Sequence, residues 1–160
     1  MNEIVKSNDQ RIDELETEII LHHKIAVIPV KHLFTKGMYI REIKVPAGIV
    51  FTSKIHKTQH PFTLSEGKIK VRENSGEWVT LTAPFTGITQ IGTRRVCVVL
   101  ENCTWTTYHH YSTIKGTENN LPESEKEKIA LKIEHRIILK RKNKVLLKAK
   151  KINKLLCHSY

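Results

Sequence analysis

Between Gly48 and Gly67 the chain reads Gly48-Ile-Val-Phe-Thr-Ser-Lys54-Ile-His56-Lys-Thr-Gln-His60-Pro-Phe-Thr-Leu-Ser-Glu-Gly67. Two glycines enclose a lysine and a histidine two residues apart, and a second histidine four residues further on. Residues two apart in a strand share a face. Val50, Thr52, Lys54 and His56 are therefore expected on one surface, and Ile49, Phe51, Ser53 and Ile55 on the other, packed on a second layer. The surrounding text is also strand-like. β-branched or alternating runs are punctuated by Pro29, Gly37, Pro46-Ala47-Gly48, Glu66-Gly67, Asn74-Ser75-Gly76, Ala83-Pro84 and Gly92, turn signals that indicate an antiparallel β domain closing as a barrel or jelly roll. Asn74-Ser75-Gly76 is the clearest hairpin, joining Lys68–Glu73 to Glu77–Thr82.

The same stretch resembles the first signature of the cupin family: glycine, five residues, His-x-His, three or four residues, glutamate, six residues, glycine. Lys54 stands at the first histidine, His56 at the second and His60 at the glutamate, with every spacing intact. The second signature, ending Pro-x-Gly-x-x-His, fits Gln90-Ile-Gly92-Thr-Arg-Arg95, with Gln90 at the proline and Arg95 at the ligand histidine. The run from about Val30 to His109 also resembles small stand-alone cupins of bacteriophages. The resemblance implies a single cupin-type barrel with Lys54, His56, His60 and Arg95 turned inward. A guanidinium has no lone pair for a cation, so one family ligand position keeps its residue and one holds a different possible ligand. The fold is implied far more than any activity, because one fold hosts many functions.

Two helical segments flank the strand text. Ser7-Asn-Asp-Gln10 is a capping-box pattern followed by Ile12, Leu15 and Ile19, predicting a short helix to about residue 21. After the polar run Lys115–Pro122, Ser124-Glu-Lys-Glu127 is a second capping-box pattern. Leu131, Ile138, Val145 and Ile152 then recur every seven residues, predicting a basic amphipathic helix. The expected organisation is an N-terminal helical segment over 1–24, the barrel over 25–112, a linker over 113–122 and the helix over 123–160. At 160 residues, 39% of them hydrophobic, the chain has material for one domain-sized core.

Charge is uneven along the chain. The formal net charge is +11, and from His135 to Tyr160 there are nine lysines and arginines and no acid. A partner drawn by charge should meet that tail first. Arg136, Lys140, Arg141, Lys144, Lys148 and Lys151 are the candidate contacts to nucleic acid or to an acidic protein. An anionic membrane surface and plain packing with solvated lysines are the other readings. No apolar run approaches a membrane span and the N-terminus lacks a signal-peptide pattern, so integral membrane insertion is not expected and the location expected is the cytoplasm, or the host cytoplasm for a viral protein. Cys97, Cys103 and Cys157 show no paired spacing, and the first two read as small buried hydrophobes. The cupin resemblance implies pairing through barrel edges, and with apolar stripes that need cover a homodimer or higher homo-oligomer is expected.

For chemistry, His56 and His60 could ligate one divalent metal. His109 is the candidate third ligand, since it shares strand parity with Trp105 and Thr107. Imidazole ligation fits Zn, Fe, Ni or Mn without choosing among them. Without metal, the same histidines would bond to Lys54, Arg95, threonines or water. Lys54 and Arg95 could form a pocket for an anionic ligand, or pair with carboxylates such as Glu42 or Glu101. No nucleophile or phosphate-loop motif stands out. The expected function is a non-catalytic cupin-type binding or assembly module of viral or phage type, with a basic helical arm for protein or nucleic-acid contact. The alternative is a metal-dependent enzyme acting on a small anionic substrate.

Overall fold

The computed structural model describes residues 7–74 and 76–139. Seven strands follow in chain order: β1 (Val30–Thr35), β2 (Met38–Val45), β3 (Val50–Thr52), β4 (His60–Glu73), β5 (Trp78–Thr82), β6 (Phe85–Thr89) and β7 (Arg95–His110). Helix α1 (Asn8–His22) precedes them and helix α2 (Glu123–Ile137) follows. The fold is mainly antiparallel β, as a jelly roll requires, with one helix N-terminal and one C-terminal. The strands and α2 lie within one compact unit, Val27–Leu139, and α1 lies outside it. At the start of α1 the capping box forms as expected: Gln10 N donates to Ser7 Oγ at 3.3 Å, and Ser7 N donates to Gln10 Oε1 at 2.8 Å.

Two long strands organise the sheet. β7 pairs β4 along one edge, while its other edge takes β3 near its start and β2 near its end. β4 likewise takes β6 near its start and β5 near its end. The last pairing is the expected hairpin, with Arg72 opposite Trp78 and Asn74 in the left-handed region at φ 48°.

Midway along both strands the register slips between Leu64 and Ile69. The slip changes parity. Phe62 and Leu64 are buried before it, Ile69 and Val71 after it, so both halves of β4 face one interior despite an odd separation. Gly67 makes this bend possible, at φ +83° and with a notional Cβ only 2.0 Å from the Asn102 carbonyl oxygen. The interior so formed is filled by Ile43, Val45, Phe62, Leu64, Ile69, Val71, Leu81, Val99 and Trp105, with Cys97 and Cys103 among them. Burial pushes the Cys97 thiol up to about 12 and raises that of Cys103, in line with packing rather than reactivity.

The facing of β3 differs from the alternation read in the sequence. Val50 is 42% exposed, whereas Ile49 and Phe51 pack against the core and Ile55 is buried. The interior at this level is apolar, so it takes Phe51, opposite Cys97, rather than Val50 and Thr52.

The C-terminal region also departs from expectation. The 113–122 run is pinned rather than free: Ile114 is buried, and Asn119 bonds the backbone of Phe34 twice, accepting from its N–H at 2.9 Å and donating to its carbonyl at 2.6 Å. Helix α2 starts at Glu123 with Pro122 at the cap and no side-chain cap bond, so the box at Ser124 does not form. Its Ala130, Ile133 and Ile137 are buried with Phe34, Tyr39 and Ile114 in a second core. The helix stops at Ile137. Ile138 turns extended and bridges His56, and the remainder of the expected 123–160 helix lies outside the described residues.

A candidate metal centre of three histidines

His60 opens β4 and His109 lies one residue before the end of β7. Each is two residues beyond the paired Phe62 and Thr107, so both point to the interior face that Phe62 and Thr107 occupy. They are 2% and 3% exposed. His56 comes from the irregular segment between β3 and β4 and is half-buried. The ring centroids stand 4.3 Å apart for His56 and His60, 4.4 Å for His60 and His109, and 5.1 Å for His56 and His109. One ring nitrogen from each lies within 4.8 Å of the others. Two histidines four residues apart, at and just before the start of β4, thus meet a third from the far end of β7.

Hydrogen bonding assigns the tautomers of two rings. His60 Nδ1 lies 3.3 Å from the Thr58 carbonyl. A carbonyl only accepts, so Nδ1 carries the proton and Nε2 keeps the lone pair. His109 Nε2 lies 3.0 Å from Thr107 Oγ1, whose own proton goes to the Arg41 carbonyl at 3.4 Å. Nε2 therefore donates and Nδ1 holds the lone pair. That Nδ1 is buried with no hydrogen-bond partner among the described residues. An unsatisfied buried acceptor costs roughly 1–3 kcal/mol, and a cation is the partner that a bare imidazole nitrogen among two other imidazoles fits best. Carbonyl and hydroxyl groups behind the rings, as here, set the tautomer of metal-binding histidines.

Electrostatics keep the rings neutral. Burial, reinforced by the other two imidazoles and Arg41, pushes His109 down to about 3. Burial followed by His60 pushes His56 down to about 4, against the opposing pull of Glu134. His60 is lowered too, chiefly by burial, although its bond to Thr58 works the other way. Neutral imidazole is the ligating form, so near pH 7 no proton has to leave before a cation binds.

Similar solved structures are cupin-domain proteins. They include a cupin-2 domain protein from Shewanella frigidimarina, at 14% identity and TM-score 0.43, covering 61% of this chain and 92% of that one. An RmlC-like cupin family protein with a double-stranded β-helix fold from Methanocaldococcus jannaschii stands at 9% and 0.45, covering 61% and 90%. The Cnp3 cupin domain of Schizosaccharomyces pombe stands at 16% and 0.45, covering 63% and 70%. No protein-family model and no curated protein matches the sequence. At these identities the likeness concerns the fold alone, and the reading of the site rests on the residues themselves.

Lys54 and Arg95 do not form a shared cationic pocket with the histidines. Lys54 is exposed on the outer side, where its Nζ donates to Glu134 Oε2 at 2.5 Å. β3 ends at Thr52, so the alternation that tied Lys54 to His56 stops before either residue. Arg95 does point inward, 5% exposed, but its guanidinium is committed. It donates to Glu73 at 2.5 Å and to Thr89 Oγ1 at 2.9 Å, and lies 4.9 Å over the Phe62 ring. The carboxylate partners are thus Glu134 and Glu73 rather than Glu42 or Glu101. Phe62 also stacks on Trp105 at 4.4 Å and 4°, and this ring pair with Arg95 fills the interior on the Phe62 side of the triad.

Of the candidate arm residues, Arg136 is exposed on the last turn of α2 with its guanidinium 5.9 Å from the Tyr111 ring. Lys140, Arg141, Lys144, Lys148 and Lys151 lie outside the described residues. Sequence reasoning missed Glu134, which also receives Arg41 Nε at 3.3 Å, and Tyr39, fully buried and stacked 5.9 Å from His109. One signal for Glu134 was present: it is the last acid in the chain, directly before the all-basic run.

Proposed function

We propose that this chain is a metal-binding cupin-type module in which His56, His60 and His109 hold one divalent cation. The observation that carries the reading is the buried, unpartnered Nδ1 of His109 within a cluster of three imidazoles held neutral by burial. Binding rather than turnover is favoured because the interior beside the triad is packed by Phe62, Trp105 and the Glu73-paired Arg95. An anionic substrate held by Lys54 and Arg95 finds no support, since both cations already have carboxylate partners. The phage-type origin and the basic arm as an assembly or nucleic-acid contact belong to the proposal on sequence grounds, namely the likeness to small phage cupins and the nine cations from His135 onward. Homo-oligomer formation is part of it on the same footing.

One observation favours a catalytic second reading. Among the described residues the cluster offers three ligands and no fourth, and three protein ligands with an open position mark catalytic rather than structural zinc sites. A cation held this way supplies Lewis acidity at its remaining coordination position. Elemental analysis of protein purified without a histidine tag, then loaded separately with Zn, Mn, Ni and Fe(II), tests the main reading. One cation per chain is expected, lost in His109→Ala and His60→Ala. Wild type that takes up none of the four would remove the proposal.

A further inference from the structure

His56 is the one triad member outside a continuous strand, so something other than a ladder must place it. The end of α2 does so. His56 bridges Ile138, Lys57 N donates to the Ile137 carbonyl at 2.8 Å, and Leu139 N donates to the Ile55 carbonyl at 2.8 Å. Gly92 N holds the other side, donating to the His56 carbonyl at 3.1 Å. Two residues before His56, Lys54 is tied to Glu134, which also binds Arg41 on β2. The Glu134 side chain is only 14% exposed, so this three-way contact is more than a solvated surface pair. A second path runs through His109. Its ring rests on Tyr39, and Tyr39 is packed with Ile133 and Ile137 of α2.

Resting on the metal-centre reading above, we propose that α2 and its extended end, Ile137–Leu139, are the positioning element of that centre. Glu134 and the backbone pairing hold His56 within reach of His60 and His109. Docking of α2 and metal binding are then one coupled equilibrium. Coupling free energies are reciprocal: bound metal tightens the α2 end, and anything that loosens that end weakens the metal. Glu134 is a positioning residue here and does not touch the cation.

Amide hydrogen exchange in the full chain, purified without a histidine tag, reads this directly with Zn²⁺ as probe. At free Zn²⁺ about 100 times its Kd, exchange at Lys57 and Leu139 should slow by up to about 100-fold. Ala83, which donates to Gly67 in a turn away from the site, should not change. Glu134→Gln should speed exchange at the same two amides without metal and lower Zn²⁺ affinity about tenfold. Glu134→Asp keeps the charge but shortens the reach, and should share the affinity loss. Glu101→Gln, which removes the partly exposed Lys68–Glu101 pair on the sheet outside α2, should leave affinity unchanged. Wild type that binds one Zn²⁺ with unaltered exchange at Lys57 and Leu139, or an Asp variant with full affinity, overturns this inference alone. Wild type that takes up no Zn²⁺, Mn²⁺, Ni²⁺ or Fe²⁺ overturns the metal reading, and this one with it.

Discussion

Replacing Ile133 with alanine should destabilise the whole unit from Val27 to Leu139, because α2 is part of its core. Ile133 is 1% exposed and shares a cluster with Phe34, Tyr39, Ile114, Ala130 and Ile137. The substitution removes three carbons, worth about 2.4 kcal/mol at roughly 0.8 kcal/mol per buried methylene, and leaves a cavity that adds to the loss. Buried Ile→Ala changes span about 2–5 kcal/mol, so about 3 kcal/mol is expected. For a unit of roughly 110 residues, 1 kcal/mol shifts the melting midpoint by about 4 °C, which makes the expected drop about 12 °C. Leu131→Ala on the same helix is the control. Leu131 is 59% exposed, and alanine is a good helix former, so its effect should stay within about 0.5 kcal/mol. Thermal and urea unfolding followed by the combined fluorescence of Trp78 and Trp105 would read both variants. Equal, small shifts for the two would mean instead that α2 is an arm and that the sheet folds without it.

Gly67→Ala should cost about 3 kcal/mol or more, since the new methyl meets the Asn102 carbonyl at a positive φ. Gly92→Ala, also at positive φ but with no atom within 4 Å, should cost about 1 kcal/mol; urea midpoints that rank the two the other way would remove the close approach at the β4 bend. Metal-free protein should lose stability as the pH falls below about 6.5. The unfolded histidines take up protons that the folded His56 and His109, pushed down to about 4 and about 3, decline. The slope is about 1.4 kcal/mol per pH unit for each such ring. Urea titrations at pH 7, 6 and 5 that gave one constant stability would refute the burial of the triad.

Continuous strands were the part of the fold most legible in the sequence. His109 shares parity with Trp105 and Thr107, and β7 runs unbroken through all three, so the alternation carries its facing correctly along the strand. The Asn74–Gly76 turn and the Ser7–Gln10 box are local chemistry and were legible for that reason. Lys54 was misread because β3 ends at Thr52, and alternation says nothing across a break. His56 is placed by pairing with residues some eighty positions later, which no local pattern encodes. Likewise the apolar stripe of α2 announced that the helix needs cover, but not that Tyr39 and Phe34 supply it. The polar text of 113–122 resembled a linker because its anchors are one isoleucine and one asparagine amide, both using distant backbone or core.

X-ray absorption on protein loaded with one equivalent of Zn²⁺ tests the central claim most directly. The expected coordination shell contains three imidazole nitrogens at about 2.0–2.1 Å, with the imidazole signature reduced or the metal lost in His109→Ala. An oxygen-only shell, or a spectrum unchanged in that variant, would contradict it.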